Sequence, residues 1–374
     1  MAEFQTDKRD ITKTRLVSAG ESVADFTLAD GEILVAIERF AFTANNVTYG
    51  AIGEQIGYWQ FFPPSESADS GESGEGDWGL VPVWGFANVV ASKNSDIELG
   101  ERFYGYFPMA NFLQMVPTRV TDDRLVDGAA HRAELPPVYN SYDRLGTTAG
   151  NAMADGMRAL LNPLYGTSYC LCDALQEQDY HGAEQVVILS ASSKTAIGLA
   201  YGLSQLDGQR PRIVGLTSPS NVAFTQSVGS YDEVIAYDDL AALKHAPSVL
   251  VDMSGNASVL GALHGALGEN MRWCHNVGLT HWDTSEAQKD PAAAQIIRDR
   301  SAMFFAPGHI QRRAKEWGAL DFNAKVADFL AGGMAHAQNW MDVKETQGLE
   351  NFGSIYDALV AGDMRAQEGL IILP

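Results

Sequence analysis

Positive charge is scarce in this chain: 26 lysines and arginines stand against 47 aspartates and glutamates in 374 residues, a formal net charge of −21. Such a field repels phosphate backbones and anionic bilayers, so nucleic acid and membrane are excluded as expected partners. Long apolar runs are missing too, and none approaches the roughly 20 residues that a spanning helix needs. The opening residues, MAEFQTDKRD, lack the apolar core of a secretion signal, which makes the cytoplasm the expected compartment. Cysteine is confined to Cys170, Cys172 and Cys274. These cannot build a disulfide framework, and Cys-Leu-Cys is not the spacing of a zinc knuckle, so core thiols and no metal site are expected. No Gly-x-Ser-x-Gly elbow occurs, and the eight histidines contain no His-Glu-x-x-His pair, which removes two common hydrolase classes. His264, His275, His281 and His309 are scattered and read as structural.

What the chain does contain is most concentrated between Gln185 and Asn221, QVVILSASSKTAIGLAYGLSQLDGQRPRIVGLTSPSN. Val186 to Leu189 is a short apolar run of the kind that forms a parallel strand covered on both faces. A helix is expected to begin near Thr195. Between them, Ser192, Ser193, Lys194 and Thr195 are small or hydroxylated except for the lysine, so backbone N–H groups at the helix start can face an anion. Ser193 and Ala196 fall where a dinucleotide fingerprint usually has glycine. Two readings stand: a phosphate cradle, or a β-turn-α unit that binds no nucleotide. Gly198 and Gly202 lie on one helix face, where each costs roughly 1 kcal/mol relative to Ala; close packing on the sheet would explain them. The second strand ends in Thr217 and Ser218 rather than in a carboxylate, with Asn221 just beyond. Hydroxyls there leave room for a 2′-phosphate, so NADP(H) is the expected cofactor, with Lys194 as its cation.

The alternation continues, with strands expected at 233–237, 249–253, 276–281 and 302–306 and helices between them. Six strands alternating with helices argue for a parallel, doubly wound sheet, an α/β class of Rossmann type. The first 120 residues differ: EILVAIERFAF, VPVWGFANVV and ERFYGYFPM are β-branched and aromatic, as in an antiparallel domain. Residues 65–77, SESADSGESGEGD, form an acidic low-complexity loop without calcium-loop spacing. Helical patterns at 322–330 and 354–360 precede GLIILP, read as a last strand that rejoins the N-terminal domain.

This layout resembles the medium-chain dehydrogenase/reductases, in particular a divergent branch of the zinc-free, quinone-oxidoreductase-like group. EILVAIERFAFTANN is similar to the early strand and its asparagine-containing loop. WGFANVVASKNSDIELGERFYGY resembles the strand pair that ends in a Gly-Asp-Arg-Val-x-Gly turn, here Gly100 to Gly105. The resemblance implies a GroES-like domain over residues 1–149 with 319–374, and a Rossmann domain over 150–318. It also implies homodimers as the usual assembly. The cysteine of the zinc-dependent members' early loop and their four-cysteine lobe are absent, so no zinc is carried over.

From the same resemblance, Asn46 lies near the loop asparagine, Tyr49 near a substrate contact, and Tyr58 near the tyrosine that donates a proton in enoyl-reductase relatives. Tyr58, Trp59, Phe61 and Phe62 read equally as an interface cluster of aromatic rings. Ser254, Leu279 and Phe305 follow strands of the parallel sheet, at the carboxyl edge where ligands bind; Ser254 also reads as a helix N-cap. The expected function is an NADP(H)-dependent oxidoreductase that passes hydride to an activated double bond, quinone or carbonyl of a small, apolar substrate in a cleft between two domains. The alternative is an NADP(H)-binding sensor or assembly protein without turnover.

Overall fold

The computed structural model describes residues 2–18, 22–65, 77–206, 208, 210–277, 291 and 293–374. The acidic loop falls almost wholly outside them, as do Leu279 and His281. Two compact units form, Met1–Leu160 with Asp342–Pro374, and Leu161–Met341.

In the second unit six parallel strands lie in the order Glu233–Ala236, Arg212–Thr217, Gln185–Leu189, Ser248–Asp252, Met271–Asn276, Ser301–Met303. In chain order this is 3-2-1-4-5-6, the doubly wound arrangement in which ligands bind beyond the carboxyl ends of the strands. Alternate residues of the first strand feed opposite cores. Val187 and Leu189 pack with Leu260 and Leu263 of helix Ala257–Leu267, whereas Val186 and Ile188 pack with Leu171, Leu199 and Leu203. Both faces are thus covered, which is why this strand reads as unbroken apolar sequence.

Two expectations are corrected here. The fifth strand is Met271–Asn276, ahead of the expected 276–281, of which 278–281 lie outside the described residues, and the sixth stops at Met303. The fifth strand carries Arg272, His275 and Asn276, so a search for apolar runs passes over it. The helical glycines do not pack on the sheet either. A Cβ at Gly198 would come within 2.6 Å of the Tyr165 ring and 2.7 Å of Ser168 Oγ, and one at Gly202 within 2.5 Å of both Cys172 Sγ and the Phe329 ring. Close approach of helices Ala152–Glu177 and Ala319–Ala337 is what these glycines permit.

The first unit is built mainly of antiparallel strands. Ile33–Phe42 is its centre, pairing with Pro82–Ser92, Phe112–Met115 and Glu368–Leu373. The last of these, EGLIIL, takes in all of GLIILP except its proline and returns to the N-terminal sheet. Arg102–Pro108 flanks Pro82–Ser92, and all seven of its residues are buried. Phe40, Phe42, Phe61, Phe103, Phe107, Tyr106 and Tyr142 fill the core.

Candidate functional site

At the end of the first parallel strand the chain turns sharply at Ser190, whose φ is 56°. This is the left-handed conformation that glycine usually supplies in a phosphate-binding turn. Tyr237 Oη accepts from the Ser190 N–H at 2.7 Å and holds it there. Neither Ser193 nor Ala196 does glycine's work. Ser193 is the N-cap, its hydroxyl accepting from Ala196 N at 3.4 Å, and the helix runs Lys194–Ser204. Ala196 is buried in the core. The turn lies tight on the second strand: Ala191 N donates to Leu216 O at 3.0 Å, and a Cβ at Gly215 would meet the Ala191 methyl at 2.8 Å.

Ser192 is the pivot of the turn. Its hydroxyl oxygen accepts from Thr217 Oγ1 at 3.1 Å and from Asn221 Nδ2 at 3.3 Å. With both acceptor sites used, the Ser192 proton is left to donate toward an incoming group. Thr217 is fully buried, Ser192 is 8% exposed, and Ser218 and Asn221 are half-buried. Ser218 Oγ lies 3.2 Å from Ser220 Oγ. Lys194 and Thr195, half-buried, form the first turn of the helix, where backbone N–H groups have no intrahelical acceptor. Three of the expected residues, Ser192, Thr217 and Asn221, therefore share one knot of hydroxyl and amide groups, and Ser193, next in the chain, caps the helix. Such a knot offers donors and no carboxylate, which suits a phosphate.

The other expected residues of this unit have different surroundings. Ser254 is not a helix N-cap. Asn256 caps helix Ala257–Leu267, its Oδ1 accepting from Val259 N at 3.1 Å. Ser254 instead donates to Asp252 Oδ1, from Oγ at 2.6 Å and from N at 2.9 Å. Asp252 is fully buried, and burial pushes its carboxyl up from the ordinary range. Phe305 is 62% exposed, at the start of helix Ala306–Trp317.

In the first unit Tyr49 and Tyr58 belong to a cluster of tilted and edge-on phenols. The Tyr49 and Tyr58 rings lie 4.3 Å apart, and Tyr58 Oη is 2.8 Å from Tyr139 Oη. Tyr139 in turn packs tilted against Tyr106, with centroids 4.7 Å apart, and its ring lies 6.0 Å from that of Trp84. Burial pushes the Tyr58 phenol up, and the bond from Tyr139 works in the opposite direction. Tyr49 and Tyr139 are raised by burial as well, so all three hold their protons at neutral pH. Asn46 is spent on structure: its Oδ1 accepts from Thr43 N at 2.8 Å and its Nδ2 donates to Pro82 O at 2.9 Å. This capping box starts helix Ala44–Ala51, which carries Tyr49. The three cysteines are buried thiols, Cys170 pushed up to about 12 by burial.

Sequence reasoning missed Ser190, Tyr237, Asp252 and Tyr139. Only Asp252 left a signal, as the one charge that ends an apolar run, SVLVD. Among the described residues no group of three or more His, Cys, Asp or Glu could hold a metal ion, and no helix is long and apolar enough to cross a membrane.

A 3-2-1-4-5-6 parallel sheet together with a β-rich unit built from both ends of the chain is the fold of the medium-chain dehydrogenase/reductases. Solved structures share it along the whole chain. CurA from Vibrio vulnificus, in complex with NADPH, has a TM-score of 0.64 at 15% identity, covering 100% of this chain and 99% of that one. The quinone oxidoreductase from Coxiella burnetii has a TM-score of 0.52 at 13% identity, covering 100% and 99%. The yhdH oxidoreductase from Salmonella enterica, in complex with NADP, has a TM-score of 0.51 at 14% identity, covering 100% of both chains. The chain belongs to the family described as "Protein of unknown function (DUF2855)", whose family model matches residues 40–365. No curated protein matches it.

Proposed function

We propose that this protein is an NADP(H)-dependent oxidoreductase that acts without zinc on an activated double bond, a quinone or a carbonyl of a small, apolar substrate. The observation that carries this reading is Ser192, a hydroxyl whose acceptor sites are filled from within and whose proton is left to donate at the start of a helix. NADP(H), the ligand in two of the similar structures, fits these residues. The pyrophosphate would lie against Ser192, Ser193, Thr195 and the first helical N–H groups, and the 2′-phosphate against Thr217, Ser218 and Asn221, with Lys194 supplying positive charge. Ser254 and Phe305, at carboxyl ends of the parallel sheet, would flank the nicotinamide end; Leu279 lies outside the described residues. When bound, the nicotinamide supplies or accepts hydride.

The remaining chemistry falls to the phenols. Tyr58 keeps its proton at neutral pH and gives it up only to a strong base, such as an enolate or alkoxide formed on the substrate. Tyr139, donating to the Tyr58 oxygen, steadies the phenolate that is left. Tyr49 supplies a flat apolar wall, and Asn46 fixes the helix that carries it. Aromatic rings favour a planar, conjugated substrate.

The test is NADPH oxidation against a panel of enones, quinones and aldehydes. Turnover with at least one of them, lost in Tyr58→Phe while NADPH still raises the melting temperature, is the expected outcome. Full activity in Tyr58→Phe would remove the tyrosine from the mechanism. One observation favours a second reading, NADP(H) binding without turnover: Tyr58 and Tyr139 bond to each other and Asn46 is fully engaged. NADPH binding with no oxidation by any member of the panel would select it.

A further inference from the structure

Just ahead of the first parallel strand, Asp179, Tyr180, His181 and Gly182 have φ values of 46°, 48°, 53° and 68°. Three residues with side chains thus share a left-handed turn, a conformation that L-residues adopt singly and at a cost. The turn closes through His181 N to Gln178 O at 2.9 Å and Ala183 N to Tyr180 O at 3.0 Å. Strain of this kind persists only where the surroundings hold it, and it concentrates at functional sites.

What the turn achieves is the placement of His181. Its ring lies flat on Trp273, with centroids 5.2 Å apart and planes at 15°, and 5.9 Å from the ring of His275. His275 belongs to the fifth strand and is 5% exposed; Phe304 packs edge-on against it. The Nε2 atoms of both histidines are buried, with no hydrogen-bond partner among the described residues. An unpartnered buried nitrogen is costly. Two on neighbouring imidazoles, one of them delivered by a strained turn, amount to a pair of ligands for the same guest.

Imidazole pairs suit zinc, copper and nickel, whereas calcium and magnesium require oxygen ligands. With metal–nitrogen bonds of roughly 2.0–2.1 Å, ring centres about 5 to 6.5 Å apart span the range from tetrahedral to linear coordination. The observed separation falls inside it. We propose that His181 and His275 bind one divalent transition-metal ion of the zinc–copper class, which ties the left-handed turn to the fifth strand. Two imidazoles fill half of a four-coordinate shell, and water completes it.

The experiment uses the full chain, stripped with chelator and titrated with Zn2+ and, separately, Cu2+. One equivalent should bind, Zn2+ should raise the melting temperature, and Cu2+ should give nitrogen hyperfine structure from two imidazoles. His181→Asn keeps a residue that tolerates the left-handed turn but lacks the imidazole; its affinity should fall at least tenfold and its hyperfine pattern should lose a nitrogen. His275→Gln should behave alike if it folds, and the more exposed His181 variant decides the matter if it does not. Absence of binding up to millimolar metal, or equal binding by His181→Asn, would overturn the proposal and leave the two nitrogens to buried water.

Discussion

The hydroxyl turn and the phenol cluster solve opposite problems. In the parallel-sheet unit, Thr217 and Asn221 both donate to Ser192, so the hydroxyl proton is not spent on either of them. In the β-rich unit, large rings bury one another and the polar atoms close inward, Tyr58 on Tyr139 and Asn46 on Thr43 and Pro82. A phosphate site needs donors fixed before the ligand arrives. A proton donor for hydride chemistry needs an acid that stays protonated until charge develops beside it. Burial serves the second need, and a helix start serves the first.

Breaking the phenol cluster should have the largest effect on turnover. Tyr58→Phe is expected to lower kcat by about 100- to 10,000-fold, the usual range for a lost general acid, with cofactor binding unchanged; steady-state kinetics beside NADPH melting shifts read both. On the hydroxyl side, Ser218→Asp sets a carboxylate where the 2′-phosphate is expected. It should weaken NADPH at least about tenfold, the effect of about 1.4 kcal/mol, and spare NADH, as measured by titration with each nucleotide.

Acid should weaken the parallel-sheet unit through His264. This imidazole is 1% exposed, its Nδ1 accepts from Ile297 N at 3.0 Å, and burial, helped by Arg300, lowers it to about 4. The unfolded chain therefore binds the extra proton between pH 6.5 and 4. The contribution is whole above about 6.5 and is lost as pH falls toward 4, on the order of 3 kcal/mol at most. Urea unfolding across that interval should show the slope, and His264→Gln should lessen it. Gly198→Ala, which drives a methyl into Tyr165 and Ser168, should cost about 1–3 kcal/mol from overpacking, less the roughly 1 kcal/mol gained in helix propensity. Loss of the Asn256 cap in Asn256→Ala should cost about 1 kcal/mol. Thermal melts order these last two.

Legibility divides along the same line. Strands covered on both faces are apolar without interruption, so Val186–Leu189 and the alternation after it were readable; the turn that follows was readable because the apolar run gives way to small and hydroxylated residues before the helix. Met271–Asn276 was not, because its Arg272, His275 and Asn276 interrupt the apolar run. Helix Ala152–Glu177 contains Gly156, Pro163 and Gly166, which local propensity counts against a helix; packing against Gly198 and Gly202 overrides it. Tyr139 was invisible because its partner Tyr58 lies 81 positions away, and no local pattern encodes such a pairing. Ser190 hid for a different reason: positive φ in a serine follows from Tyr237 and Leu216, not from the residue itself.

The central claim is that the serine turn cradles a phosphate-rich cofactor and that the hydroxyl-ended second strand favours the 2′-phosphate. Melting temperature with saturating NADPH and with saturating NADH tests it most directly. Ligand at 100 times its dissociation constant stabilises by about 2.7 kcal/mol. A clear rise with NADPH and little or none with NADH is the predicted result, whereas no rise with either nucleotide would contradict the account and reduce the turn to a connection between strand and helix.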